Sequence, residues 1–174
     1  MQWYHEMERN VYADASDMYE AGKPYRQYRT GFAQDRRIEG SMRITSRNLK
    51  DIKALYLHDF TFSGFHYDYD QGKLNLNCEK PHLRKGVKLE FENVIGIHMQ
   101  ACGFWGGGNS ILVIYHGDGH LLARYRETAQ INKSFDFADL IDPENEFVEF
   151  EIEINSGGNL LVVCEALHAE EFPL

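Results

Sequence analysis

The sequence predicts a mainly β protein of the α+β class: an antiparallel sheet, a sandwich or a partly open barrel, with helices at the N-terminus. Three observations carry that expectation. From Leu57 onward apolar residues recur at every second position; three such stretches are broken by turn residues in the manner of hairpins; and the aromatic share of 13% suits strands better than a helical bundle. A chain of 174 residues is long enough for one domain with a core of its own. Residues 1–56 are read as a helical, basic segment packed on an antiparallel β region, 57–174.

In the N-terminal segment Tyr4, Met7, Val11, Ala15 and Met18 recur at helical spacing, and Gly22 followed by Pro24 supplies a stop. The stretch 25–38 is ambiguous, since Tyr25, Tyr28 and Phe32 fit a helix that Gly31 interrupts. Asn48 to Tyr56 reads as a short helix, capped by Asn48, with Leu49, Ile52 and Leu55 inward.

The first hairpin runs from Phe60 to Tyr69 and from Leu74 to Cys78, with Gly72 at positive φ near its tip and a bulge at Gly64, where the alternation shifts. Val87, Leu89 and Phe91 alternate with Lys88, Glu90 and Glu92 in the next strand, and Ile95, Ile97 and Met99 continue past a bend. Ile111 to Tyr115 and His120 to Arg126 frame Gly117-Asp-Gly119 as a second hairpin. The third joins Phe147–Asn155 to Asn159–Leu167 across Ser156-Gly-Gly158. Leu160 to Cys164 is apolar on both faces, so that strand belongs in the middle of its sheet.

Charge narrows the function. The formal net charge of -9 argues against nucleic-acid binding. No run reaches the length of a membrane span and no signal-peptide pattern opens the chain, so a cytoplasmic protein is expected. Cys78, Cys102 and Cys164 lack a CxxC pair and sit among apolar or small residues, which fits a reducing compartment. Lysines and arginines concentrate at 23–53 (Lys23, Arg26, Arg29, Arg36, Arg37, Arg43, Arg47, Lys50, Lys53), and none follows Lys133. In that last stretch Phe147-Val-Glu-Phe-Glu-Ile-Glu-Ile154 alternates apolar with acidic residues, so Glu149, Glu151 and Glu153 form a row on one strand face. Such a row suits a basic protein partner, while the basic segment 23–53 suits self-association across an acidic face of the same chain or a second copy.

The string Gly103-Phe-Trp-Gly-Gly-Gly-Asn109 lacks the lysine of a phosphate loop. It reads either as a loop presenting Phe104 and Trp105 to a partner or as a tight corner in which Trp105 caps the core. His58 and Asp59, with His66 and Asp68 further along the same strand, are candidates for a divalent cation if His98, His116 or His120 joined them, which defines the alternative of a metal-binding protein or metal-assisted hydrolase. Solvated strand polarity explains the same residues. Ser63, Ser110, Ser134 and Ser156 lack a nucleophile-elbow context, and nothing near Cys102 activates its thiol. No catalytic residue and no cofactor is therefore assigned.

Leu57-His58-Asp59, Met99-Gln-Ala-Cys-Gly-Phe-Trp105, and Ile154-Asn-Ser-Gly-Gly158 leading to Val162-Val-Cys-Glu165 resemble small uncharacterised bacterial β-rich proteins of the immunity-protein type, found in polymorphic toxin systems. The resemblance covers about two thirds of the chain, from Leu57 to Glu171. It implies a non-enzymatic inhibitor that blocks a toxin, and it transfers no functional residue, because such proteins are alike in scaffold and differ in what they bind.

Overall fold

The computed structural model describes residues 40–100, 108–131 and 146–174, all within one compact unit, Asp35–Leu174. The expected helix from Tyr4 to Met18 and the stretch 25–38 lie outside the described residues. In chain order the strands are β1 (Ser41–Thr45), β2 (Thr61–Asp68), β3 (Lys73–Lys80), β4 (Lys85–Glu92), β5 (Gly96–Gln100), β6 (Ile111–His116), β7 (Val148–Ile154), β8 (Asn159–Cys164) and β9 (Ala166–Pro173). They form two antiparallel sheets, ordered β1-β9-β4-β3-β2 and β5-β8-β7-β6, which do not close into a barrel.

The first hairpin is as the sequence predicts. Leu74, Leu76 and Cys78 alternate inward on β3, Gly72 takes φ +62°, and the register slips between Phe62 and Phe65, around Gly64. Asp68 closes the turn by accepting from the Asp70 and Gln71 N–H groups, both at 3.0 Å. The third hairpin also holds, with β8 interior to its sheet. Its second strand ends at Cys164, however. There Glu165 N–H donates to the Glu92 carbonyl at 3.1 Å and Ile95 N–H to the Val163 carbonyl at 2.9 Å, so the paired strands pass from one sheet into the other. At another corner Asp59 N–H reaches the Ile111 carbonyl (3.0 Å) and Ile111 N–H the Phe60 carbonyl (2.7 Å). Between the sheets lies one apolar core, in which the Phe91 and Phe150 rings meet edge to face with centroids 5.9 Å apart.

The β region begins earlier than Leu57. β1 lies at the sheet edge against β9, with Ile44 opposite Leu167, a pairing that no local pattern announces. The helix expected from Asn48 is a 3-10 helix, η1 (Ser46–Ala54), and its cap is Thr45: the Thr45 hydroxyl accepts from Arg47 N–H, while Asn48 Oδ1 accepts from Thr45 N–H at 2.8 Å. Ile52 and Leu55 enter the main core.

The second hairpin is corrected. Ile111 to His116 is a strand, but His120 to Ile131 is a helix, α1. Leu122, Tyr125 and Ala129 share the spacing of one helical face, and a carboxylate from a distant strand closes its first turn. Glu149, on β7 and 4% exposed, accepts from Gly119 N–H at 3.2 Å and Leu122 N–H at 3.0 Å. Gly117 is required beneath it, because a Cβ there would stand 2.5 Å from the Glu149 carboxylate. Gly96 leaves room for the Tyr125 ring in the same way. The helix thus lies on the outer face of the second sheet, where Leu122, Phe147 and Val163 form a second apolar cluster, and β8 is buried on both faces as the sequence predicts. Among the described residues no helix is long and apolar enough to cross a membrane.

Replacing Glu149 by Ala leaves the buried Leu122 N–H and the part-buried Gly119 N–H without their acceptor. We expect a loss of about 2 to 4 kcal/mol in urea denaturation, together with reduced helical dichroism. A change below about 0.5 kcal/mol would show that the cap contributes little.

Candidate functional site

The outer face of the second sheet is organised by its register. Beneath α1 lies the row Gly96, Val163, Glu149. The next row is His98, Leu161, Glu151, Tyr115, and the one beyond it Gln100, Asn159, Glu153, Val113. The carboxylates expected to stand together are therefore divided. Glu149 belongs to the helix and is not exposed, whereas Glu151 and Glu153 are half-buried on the rows beyond it.

Each remaining carboxylate is held by a neutral donor. The Tyr115 hydroxyl donates to Glu153 Oε1 at 2.8 Å, and Asn159 Nδ2 donates to Glu151 Oε1 at 2.9 Å. Burial, with the hydrogen bonds and charges of Glu153 and Glu151, pushes the Tyr115 phenol well above its ordinary value. Among the described residues no lysine or arginine lies within ion-pair distance of Glu151 or Glu153.

The outer face of the first sheet behaves differently. Glu90 lies between Lys73 Nζ at 2.7 Å and Lys88 Nζ at 3.1 Å, and hydrogen bonds from these ammonium groups hold its carboxyl below the usual range. Glu92 accepts from Arg43 Nη2 at 2.7 Å. Glu90 and Glu92 are thus paired with cations, whereas among the described residues Glu151 and Glu153 are not.

The metal candidates do not converge. His58 Nδ1 is 3.0 Å from Asp59 Oδ2 where the chain enters β2, and the neighbouring cation is Lys80, whose Nζ donates to the His58 carbonyl at 2.9 Å. His66 is exposed opposite Asn75, about 20 Å further along the strand by its rise per residue, and Asp68 is engaged in the hairpin turn. His98 stands on β5, His116 ends β6, and His120 opens α1, where it contacts Asp118 at 3.1 Å. No three His, Cys, Asp or Glu side chains gather among the described residues. Phe104 and Trp105 lie outside the described residues; just beyond them Asn109 Nδ2 donates to the Phe62 carbonyl.

Tyr115 and Asn159 were missed by reading the sequence. The tight Ser156-Gly-Gly158 turn places Asn159 opposite Glu153, so this neighbour was available in principle. Tyr115 was not, because it reaches β7 from a strand on the other side of α1. No family model matches the chain, and no curated protein matches it significantly.

Replacing Tyr115 by Phe removes the hydroxyl from Glu153, with an expected loss of about 1 to 2 kcal/mol; unaltered stability would mean that the bond is not maintained in solution. The pH dependence has a definite sign. Burial pushes the Cys78 thiol up to about 12 and moves the Cys164 thiol in the same direction, as it does the Tyr115 phenol. Each is an acid whose folded value is raised, so between the ordinary thiol value near 9.0 and about 12 the folded chain holds more protons than the unfolded one. Their contribution is complete below that window and is lost as pH rises through it. The urea midpoint should fall from pH 8 to pH 11, and native Cys78 and Cys164 should resist thiol reagents at pH 8.

Proposed function

We propose that the chain is a non-enzymatic, cytoplasmic protein-binding module that takes a basic protein partner on the uncovered rows of the second sheet, as an immunity protein neutralising a cationic toxin does. One observation carries the proposal: Glu151 and Glu153 are fixed in place by Tyr115 and Asn159, half removed from water, and not matched by a cation among the described residues. Fixed negative charge beside a low-dielectric surface accelerates the approach of a basic partner and orients it. Tyr115 and Leu161 supply apolar surface around the carboxylates, so that an arriving lysine or arginine is also partly desolvated. The sequence resemblance supports the same class, and the unpaired, buried Cys78 and Cys164 suit a reducing compartment.

The test is co-expression with the product of the neighbouring gene, scored by growth and by complex formation. The wild-type chain should restore growth and bind at a rate that falls as salt rises. Replacing Glu151 and Glu153 together by Gln should slow association by about tenfold with little change in melting temperature. A toxin that the wild-type chain neither binds nor neutralises would overturn the proposal, as would full protection by the double variant.

A further inference from the structure

A 3-10 helix repeats every three residues, so its side chains fall into columns. Beyond the kink at Asn48 (φ -132°, ψ 32°), the inward column of η1 contains Leu49, Ile52 and, just past its end, Leu55, while Lys50 and Lys53 share the exposed column; Arg47, also exposed, precedes the kink. Arg47 is engaged by Glu146, Nε to Oε2 at 2.9 Å. Among the described residues Lys50 and Lys53 have no carboxylate within ion-pair distance. Three residues of 3-10 helix advance about 6 Å. Two residues of strand advance about 6.7 Å, which is the separation of Glu151 from Glu153. Among the described residues, Lys50 and Lys53 on η1 and Glu151 and Glu153 on β7 are thus two groups of opposite charge, neither in an ion pair, at nearly the same spacing.

Their placement relates the two pairs. η1 packs beside β6, and β6 pairs with β7, which bears the carboxylates. On β6 itself Leu112 and Val113 are 38% and 41% exposed, at the register slip that turns adjacent residues outward. Basic, apolar and acidic groups thus occur on neighbouring elements. A two-fold axis through the apolar element would bring the basic group of each molecule to the acidic group of the other. An apolar centre with a charged rim is also the ordinary anatomy of a protein interface.

We infer that a second copy of this chain docks at β6, with Lys50 and Lys53 of each copy against Glu151 and Glu153 of the other, and Leu112 and Val113 at the centre. A polyanion is the weaker occupant for the lysines, because a chain of net charge -9 repels phosphate. The inference does not require the basic partner proposed above. Both use Glu151 and Glu153, so a partner and a second copy compete.

A charge exchange tests it. Sedimentation at low salt, from roughly 10 to roughly 300 µM protein, should show the wild-type chain dimerising, and salt of about 0.5 M should dissociate it. The variants Lys50→Glu/Lys53→Glu and Glu151→Lys/Glu153→Lys should each be monomeric alone, and an equal mixture of the two should dimerise. If the second variant does not fold, Glu151→Gln/Glu153→Gln keeps the side-chain shape and should weaken self-association by about tenfold or more. A wild-type chain that stays monomeric throughout the range overturns the inference, and so does a dimer indifferent to Lys50→Glu/Lys53→Glu. That variant retains the acidic rows, so it should still restore growth beside the toxin. A wild-type chain that dimerises yet fails to protect would retire the functional proposal and leave this one standing.

Discussion

A carboxylate taken out of water must find donors, and Glu149 finds them in the backbone at the start of α1. Much of the second sheet's outer surface depends on that contact. It joins a strand to the turn after β6, sets the direction in which α1 leaves that turn, and holds the helix against Val163 and Phe147. Two glycines make the approach close enough. Gly117 lies under the carboxylate and Gly96 under the Tyr125 ring, and a methyl group at either position would separate helix from sheet. The partial positive charge of a helix N-terminus favours the same arrangement.

Among the described residues the helix covers one row of the sheet and not the next two, and this separates Glu149 from Glu151 and Glu153. On the first sheet the alternating charges Arg43, Lys73, Lys88, Glu90 and Glu92 pair with one another. On the second, Tyr115 and Asn159 orient Glu151 and Glu153 without neutralising them. A hydrogen bond from a neutral donor fixes where a charge is; it does not remove the field that charge projects. Orientation without neutralisation is what a surface needs to attract a cation and hold it in register.

The parts legible in the sequence were those whose causes are local. Gly72 and Gly64 mark the turn and bulge of the first hairpin because a positive φ and a shifted alternation are both local events. Leu160 to Cys164 announced an interior strand through its own composition. Gly117-Asp-Gly119 misled for the complementary reason: a glycine-flanked turn after a strand suits a hairpin, and the residue that makes a helix follow it stands on β7, far along the chain. The same distance hid β1 against β9. In the acidic strand the alternation identified a common face but not what covers that face, so Glu149 was grouped with two residues whose surroundings it does not share. Leu57-His58-Asp59, whose polar pair invited metal chemistry, has a structural explanation in the corner between the sheets. Asp59 sits at φ +65°, its N–H joins β2 to β6 through Ile111, and Lys80 donates to the preceding carbonyl.

The remaining charges relate association with self to association with others. A carboxylate pair that can receive two lysines of a second copy can receive those of a different basic protein, since neither the spacing along a strand nor the desolvation by Tyr115 depends on which chain brings the cation. In the proposed dimer, self-association would act as a linked equilibrium: each dimer would remove two partner sites, and a partner would have to exceed the affinity of the dimer before capture at high protein concentration. Contacts built on a few rim charges and two small apolar side chains are weak and screened by salt. The proposed interface would yield to a partner that adds an aromatic or arginine anchor, and would shield the apolar residues of β6 while no partner is bound.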